Sequence, residues 1–315
     1  MIIQFLPYSQ RVGYACINMT LANSGVTTNR HAIQRTFKLK GIGHISKLCL
    51  ANVTDLYRVI TWNNENNIKF YRISSALFPW MSEYEFEELP DWKAIQGILR
   101  CIGEDALKHR QRLEFHPGHF TILASPTDKT VKSAIRDLEQ HSRIFDEMQF
   151  KPSHWNSINI HLGGSYGGDK EGSAKRWVDQ FNNLSINCKQ RIVIENDDKA
   201  NMYSVLDLHT LIYDACGVPI TFDIFHHNFC TGGLSRREAA RLAASTWGNI
   251  PMVIHWSSSM KLYENPSSKS VAHADYIYDS LEDWDTGGWF MFESKAKELS
   301  VLEYLKKGPR PQIIC

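Results

Sequence analysis

Short runs of sheet-forming residues recur along the chain, separated by stretches whose apolar positions repeat at helical spacing. Eight such runs stand out: "RVGYACI" (11–17), "IKFYRI" (68–73), "RLEFH" (112–116), "SINIHL" (157–162), "QRIVIE" (190–195), "PITFDI" (219–224), "PMVIH" (251–255) and "WFMFE" (289–293). Each is followed by a helix-compatible segment, such as "KTVKSAIRDLEQHSRIFDEM", "SAKRWVDQFNNL", "SVLDLHTLIYDA" and "SRREAARLAAS". Strands that alternate with helices favour a parallel sheet. Eight units predict an α/β fold closed into a single (β/α)8 TIM barrel rather than an open, doubly wound sheet. The expected division is an N-terminal extension over 1–10, the barrel over 11–307 and a tail over 308–315. No GxGxxG follows the first strand, so a nucleotide cofactor is not expected. "ENPSSKS" (264–270) reads as one long barrel loop.

The strand ends carry the chemistry. C-terminal ends of barrel strands meet at one rim, where active sites of this fold are built. His116 ends the third run, His161 stands near the end of the fourth, Glu195 ends the fifth, Asp223 lies at the end of the sixth, His255 ends the seventh and Glu293 the eighth. His226 follows in "FDIFHH", and His273 in "VAHADY" lies in the loop beyond the seventh strand. Five histidines and three carboxylates on one rim suit Zn, Mn or Fe better than Ca or Mg. Without a cation, three neighbouring acids repel, and at least one should have a raised pKa. Glu195 is placed to bridge two ions. Such a cluster suits phosphodiester hydrolysis, and a two-metal sugar isomerase fits the fold almost as well. His31, His44, His109, His141, His154 and His209 fall off the strand ends and are read as solvated or core residues. His227, beside His226, is a candidate support for a ligand.

Composition changes this picture little. A hydrophobic fraction of 43% and a charged fraction of 22% allow a sizeable core, and a net charge of +1 does not identify a partner. Seven scattered cysteines without a C-x-x-C pair fit reduced thiols. The start, "MIIQFLPYSQRVGY", resembles neither a signal peptide nor a membrane anchor. No membrane partner is expected, and the location expected is the cytoplasm, with the nucleoid, or a nucleus.

In order along the chain, "RVGYACINMTL", "TTNR", "YRISSALFPW", "HPGHF", "IHLGGSYG", "ENDD", "FDIFHHN" and "HADY" resemble the UV damage endonucleases, relatives of AP endonucleases of the endonuclease IV type. The resemblance runs from about residue 11 to 300. It implies a metal-dependent barrel that nicks double-stranded DNA immediately 5′ to a UV photoproduct and leaves a 3′-hydroxyl and a 5′-phosphate. Its metal positions carry over onto His116, His161, Glu195, Asp223, His226, His255, His273 and Glu293, the same eight residues. Two or three divalent ions are implied, Mn first, with Zn or Mg as alternatives, in a monomer.

The resemblance assigns Glu195 and Tyr14 to the catalytic site. It also implies that His119 and Phe120, where many relatives carry Gln and Tyr, enter the duplex at the lesion; the alternative is that Phe120 packs under its loop. Tyr14 and Asn18 match positions near the phosphate or the flipped nucleotides, with rim packing the alternative for Tyr14. Arg30 and Arg72 are candidate phosphate contacts, and Arg72 could equally pair with a rim acid. Lys170, Lys175 and Arg176 form either a basic edge or a solvated helix face. Two departures stand out: Val253, where relatives can carry a lysine that helps order the metal site, and Ala76, where they can place a polar group. The remaining alternatives are an AP endonuclease, a sugar isomerase or epimerase, and a non-catalytic damage-binding descendant.

Overall fold

The computed structural model describes residues 6–311. The ends of the expected N-terminal extension and C-terminal tail, residues 1–5 and 312–315, lie outside the described residues. Eight strands, β1 (Val12–Ala15), β2 (Phe70–Ile73), β3 (Arg112–Phe115), β4 (Ile158–His161), β5 (Ile192–Glu195), β6 (Ile220–Asp223), β7 (Val253–Trp256) and β8 (Trp289–Phe292), form a closed barrel in chain order. All neighbours are parallel, and β1 pairs with β8 to close the ring. Seven of the runs identified by their apolar pattern contain one of these strands, and the seventh run, 251–255, stops one residue short of the end of β7 at Trp256. The reason is that parallel strands are buried on both faces and read as near-continuous hydrophobic runs.

The two-residue period of a strand sorts its side chains. On β3, Leu113 and Phe115 face the helices, and Phe115 packs on His141 and Phe145 of the helix Asp128–Glu147. Arg112, Glu114 and the following His116 face the barrel interior. On β1 the same rule turns Gly13 and Ala15 inward and Tyr14 outward. A side chain at Gly13 would not fit, because its Cβ would lie 2.1 Å from the Phe70 carbonyl oxygen.

Helices follow seven of the strands. They are Gln34–Glu65, Trp92–Lys108, Asp128–Glu147, Lys170–Phe181, the segment 205–216, Arg236–Ser245 and Glu298–Lys307. The first of these is interrupted at Gly41, whose φ of 71° is the left-handed region that glycine enters without strain. Between β7 and β8 the expected helix is reduced to Met260–Tyr263, and residues 264–288 run as a loop. Pro266 removes a helical donor, and Asn265 and the serines after it favour turns, so the barrel lacks its seventh long helix. No helix among the described residues is long and apolar enough to cross a membrane.

The floor of the barrel is closed by a buried cation. Arg112 donates to the carbonyls of Trp155 (2.9 Å), Pro251 (2.9 Å) and His154 (3.2 Å). Its guanidinium carbon lies 4.8–5.8 Å from the ring centroids of Trp155, Phe70, Trp247 and Trp289. Burial pulls its pKa down to about 9, and the carbonyls and ring faces offset the lost hydration. Replacing Arg112 with alanine strands three carbonyls and opens a cavity. We expect a loss of about 3–5 kcal/mol in urea unfolding, and a loss under about 1 kcal/mol would refute this role.

Candidate functional site

Six strand ends deliver their polar residues to one point at the C-terminal rim. Glu195, at the end of β5, is its centre. Its Oε2 lies 3.0 Å from His116 Nε2 and 3.8 Å from His161 Nε2, and its Oε1 lies 3.0 Å from His255 Nδ1 and 3.3 Å from His226 Nδ1. His255 Nδ1 also stands 3.4 Å from Glu293 Oε1 and 3.9 Å from Asp223 Oδ2. The last residue of β6, Asp223, caps the short helix Ile224–His227 by accepting the His226 N–H at 2.8 Å. One turn of helix therefore carries His226 over Glu195.

Ligand atoms fall into three overlapping groups: His116, His161 and Glu195; Glu195, Asp223 and His226; and Asp223, His255 and Glu293. Within each group the atoms lie within 4.8 Å of one another. Glu195 belongs to two of these groups and Asp223 to two. Seven of the eight expected ligands are brought together in this way. His273 belongs to none of the groups. Its Nδ1 lies 3.7 Å from Glu293 Oε2, at the outer edge of the cluster, on a loop pinned by a bridge to Ser259.

These residues suit divalent cations. Asp223 Oδ2 and both nitrogens of His255 are buried without a hydrogen-bond partner. A buried carboxylate oxygen and the one lone pair of a neutral imidazole left so inside a barrel call for a positive partner. The electrostatics agree with the repulsion inferred above. Burial pushes the Asp223 carboxyl up, with Glu293 and Glu195 adding to the rise against His226. Glu195 is held well down, because His255 and His161 outweigh the cost of its burial. Glu293 is held down against its burial by Arg72 and His255. Burial lowers His116, whereas for His161 it is outweighed by Glu195 and Asp197, which raise the imidazole to about 9.

Four supporting residues were not singled out from the sequence. Asp197 Oδ1 lies 3.4 Å from His161 Nδ1, and Asn159 donates to Glu195 Oε2. Asn196 binds both backbone groups of Asp223 through its amide at 2.9 Å, and its own carbonyl oxygen stands 2.9 Å from His226 Nδ1. The fourth is Glu114, below His255. Asn196 and Asp197 stand in "ENDD", directly after the strand end. Asn159 and Glu114 were visible as polar residues two positions before a ligand, on the same strand face.

The expected DNA contacts divide. Phe120 is 90% exposed and His119 is exposed, so the ring does not pack under its loop. Beside them Pro117, Thr121, Gly163, Asp197, Lys199 and His226 line part of a cavity of about 290 Å³. Tyr14 is turned away from this rim. Its hydroxyl donates to Asn63 of the helix Gln34–Glu65 at 2.8 Å and accepts from Asn18 at 2.8 Å. Asn18 caps the turn Met19–Ala22, so both are tied into the wall between barrel and helices. Arg72 enters the barrel and donates to Glu293 at 2.7 Å, the rim-acid alternative. Arg30 pairs with Asp55 at 2.6 Å and retains 29% side-chain exposure. Lys170 and Lys175 pair with Asp207 and Asp179, and Arg176 donates to the Ala124 carbonyl, which leaves no free basic edge there. His227 faces the Leu234 carbonyl at 3.1 Å and supports no ligand.

In the metal-free protein, a proton on His161 stabilises the fold fully below about pH 6.5, and that contribution is lost as pH rises through about 9. His255, raised well above its ordinary value by Glu195 and Glu293 despite burial, acts in the same direction. Calorimetry in chelator should therefore give a lower melting temperature at pH 9 than at pH 6.5. Equal temperatures would exclude a protonated pair.

Comparison with known proteins gives a consistent result. The family model described as UV-endonuclease UvdE matches residues 10–312. The UV-damage endonuclease of Schizosaccharomyces pombe is 32% identical, over 96% of this chain and 51% of that protein, so the chain spans about half of that relative. The UV DNA damage endonuclease of Clostridium perfringens is 29% identical, over 93% of this chain and 69% of its own length. The crystal structure of SacUVDE is similar at a TM-score of 0.81 and 29% identity, with 94% of this chain and 97% of that chain covered. A family match from end to end of the barrel, joined to that likeness in structure, shows that this chain belongs to the UV-endonuclease UvdE family of endonucleases.

Proposed function

We propose that the chain is a divalent-metal-dependent endonuclease that nicks double-stranded DNA immediately 5′ to UV photoproducts, leaving a 3′-hydroxyl and a 5′-phosphate. One juxtaposition carries this reading. A phenylalanine ring that is 90% exposed stands on the loop leaving His116, beside the carboxylate and imidazole cluster. A folded protein gains nothing from a lone ring in water, whereas stacking on a base contributes about 1–3 kcal/mol.

Three groups of residues would hold the ions: His116, His161 and Glu195; Glu195, Asp223 and His226; Asp223, His255 and Glu293. His273 joins the last from its loop. Divalent ions there, Mn first with Zn or Mg as alternatives, would polarise the phosphodiester and activate a water. The remaining tasks belong to the protein. Asp197, Asn159 and Asn196 hold ligands in orientation, and Arg72 neutralises Glu293. Phe120 enters the stack at the lesion, and His119 hydrogen-bonds the base left without a partner. The cavity beside them accommodates displaced nucleotide atoms, with Lys199 as its cation. Arg30 is retained as a phosphate contact, while Tyr14, Asn18 and Arg72 are outside the proposed DNA surface. Selectivity follows from the lower cost of unstacking bases already distorted by damage.

The test is incision of an end-labelled duplex carrying one cyclobutane dimer, with Mn supplied, beside undamaged and abasic duplexes. A nick immediately 5′ to the dimer and none in the undamaged duplex is expected. Cleavage confined to the abasic duplex would make the chain an AP endonuclease, and binding without scission would make it a damage-binding protein. Glu195→Gln should abolish nicking in a protein that still folds. Phe120→Ala should raise the dissociation constant for the damaged duplex about tenfold while leaving metal content unchanged. Equal affinity of both proteins for damaged DNA would remove Phe120 from the mechanism.

A further inference from the structure

Glu114 has no part in the chemistry above, yet it is a carboxylate buried completely inside the barrel. It lies on β3 two positions before His116 and is 0% exposed. Its Oε2 has one weak partner, the Ser157 hydroxyl at 3.5 Å, and its Oε1 has none. Oε1 faces His255 Nε2 at 3.8 Å. The other nitrogen of the same ring, Nδ1, faces Glu195, Glu293 and Asp223 at 3.0, 3.4 and 3.9 Å. Two sides of one imidazole thus meet different surroundings: the ligand cluster, and a carboxylate that belongs to no ligand group.

A neutral imidazole has one N–H and one lone pair. Which nitrogen offers the lone pair is set by what the other can donate to. Two cations lie near enough to Glu114 to feel its charge, Arg72, its register partner on β2, and Arg112 below. Neither donates to it. Arg72 donates to Glu293, and Arg112 donates to three carbonyls. Val253, two positions before His255, has no polar group to compete. The 3.8 Å separation is within ion-pair range.

We propose that Glu114 is a positioning residue for His255: its carboxylate accepts the Nε2–H and thereby commits the Nδ1 lone pair to the ion that His255 shares with Asp223 and Glu293. This rests on the metal-site reading above. It accounts for an acid in the barrel interior whose carboxylate takes no strong hydrogen bond in return for its desolvation. Outer partners of this kind typically contribute a factor of about 10–100 in metal affinity.

The experiment is Mn titration of the unaltered protein, Glu114→Gln, His255→Ala and the double variant, followed by calorimetry. Glu114→Gln keeps the shape and removes the charge. It should weaken Mn binding about tenfold at one site in the unaltered background and cause no further loss when His255 is already alanine. Unchanged affinity in Glu114→Gln would overturn the proposal. So would an equal loss in both backgrounds, which marks a structural role that does not act through His255. A second measurement needs no variant: the 15N shifts of His255 in the Zn-loaded, unaltered protein should report a protonated Nε2 and a metal-bound Nδ1. The reverse assignment would overturn the proposal. Failure of the unaltered protein to bind Mn at all would remove the metal site itself, an outcome distinct from failure of Glu114 alone.

Discussion

Everything at the rim is organised by one buried carboxylate. Glu195 is 1% exposed, and four imidazoles approach its two oxygens within 3.0–3.8 Å. Burying that charge is costly unless positive charge and hydrogen bonds surround it. The barrel meets the requirement by geometry. Parallel strands of equal length end at a common level, and the period of two points each terminal polar residue inward. Asp223 and Glu293 share the same volume, and only one of the three acids, Asp223, has its carboxyl pushed up. Arg72, which crosses from β2 to Glu293, takes part of the load that a cation would otherwise carry.

The eight strands were legible because both faces of each are buried, which leaves short, mostly apolar runs that stop at a polar residue. The ligands were legible for the same reason, since a histidine or acid at the end of such a run has one place to go. Helix-side details were not. Tyr14 and Asn18 sit at a strand end in sequence, yet the alternation begun by Gly13 turns Tyr14 toward Asn63 on a helix 49 positions away. Counting parity along β1 from Gly13 would have separated Tyr14 from the inward set. The long loop between β7 and β8 was visible in its Pro and Ser content, but the loss of a full helix there was not, because a four-residue turn remains.

What the sequence conveyed least was the layer beneath the ligands. Glu114 precedes His116, Asn159 precedes His161 and Thr221 precedes Asp223, each by two positions on the inner face. Each of the three has a buried oxygen without a hydrogen-bond partner. Polar residues in the middle of an apolar run break the pattern that identifies a strand, so they read as noise until the ends of the strands are known to converge. The same applies to Arg112, whose place among four rings depends on residues from β2, β8 and two loops.

The closed order of the strands has a kinetic consequence. Arg72 and Glu293 meet across 221 positions of chain, and the cluster draws on strands from β3 to β8. Contacts of such long sequence separation are slow to form, because the chain must give up its freedom before they return any stability. No half-barrel contains the complete cluster. Glu195 and Asp223 stand at the ends of adjacent strands, whereas Glu293 follows β8, so the full repulsion among the three acids arises only once the last strand is in place.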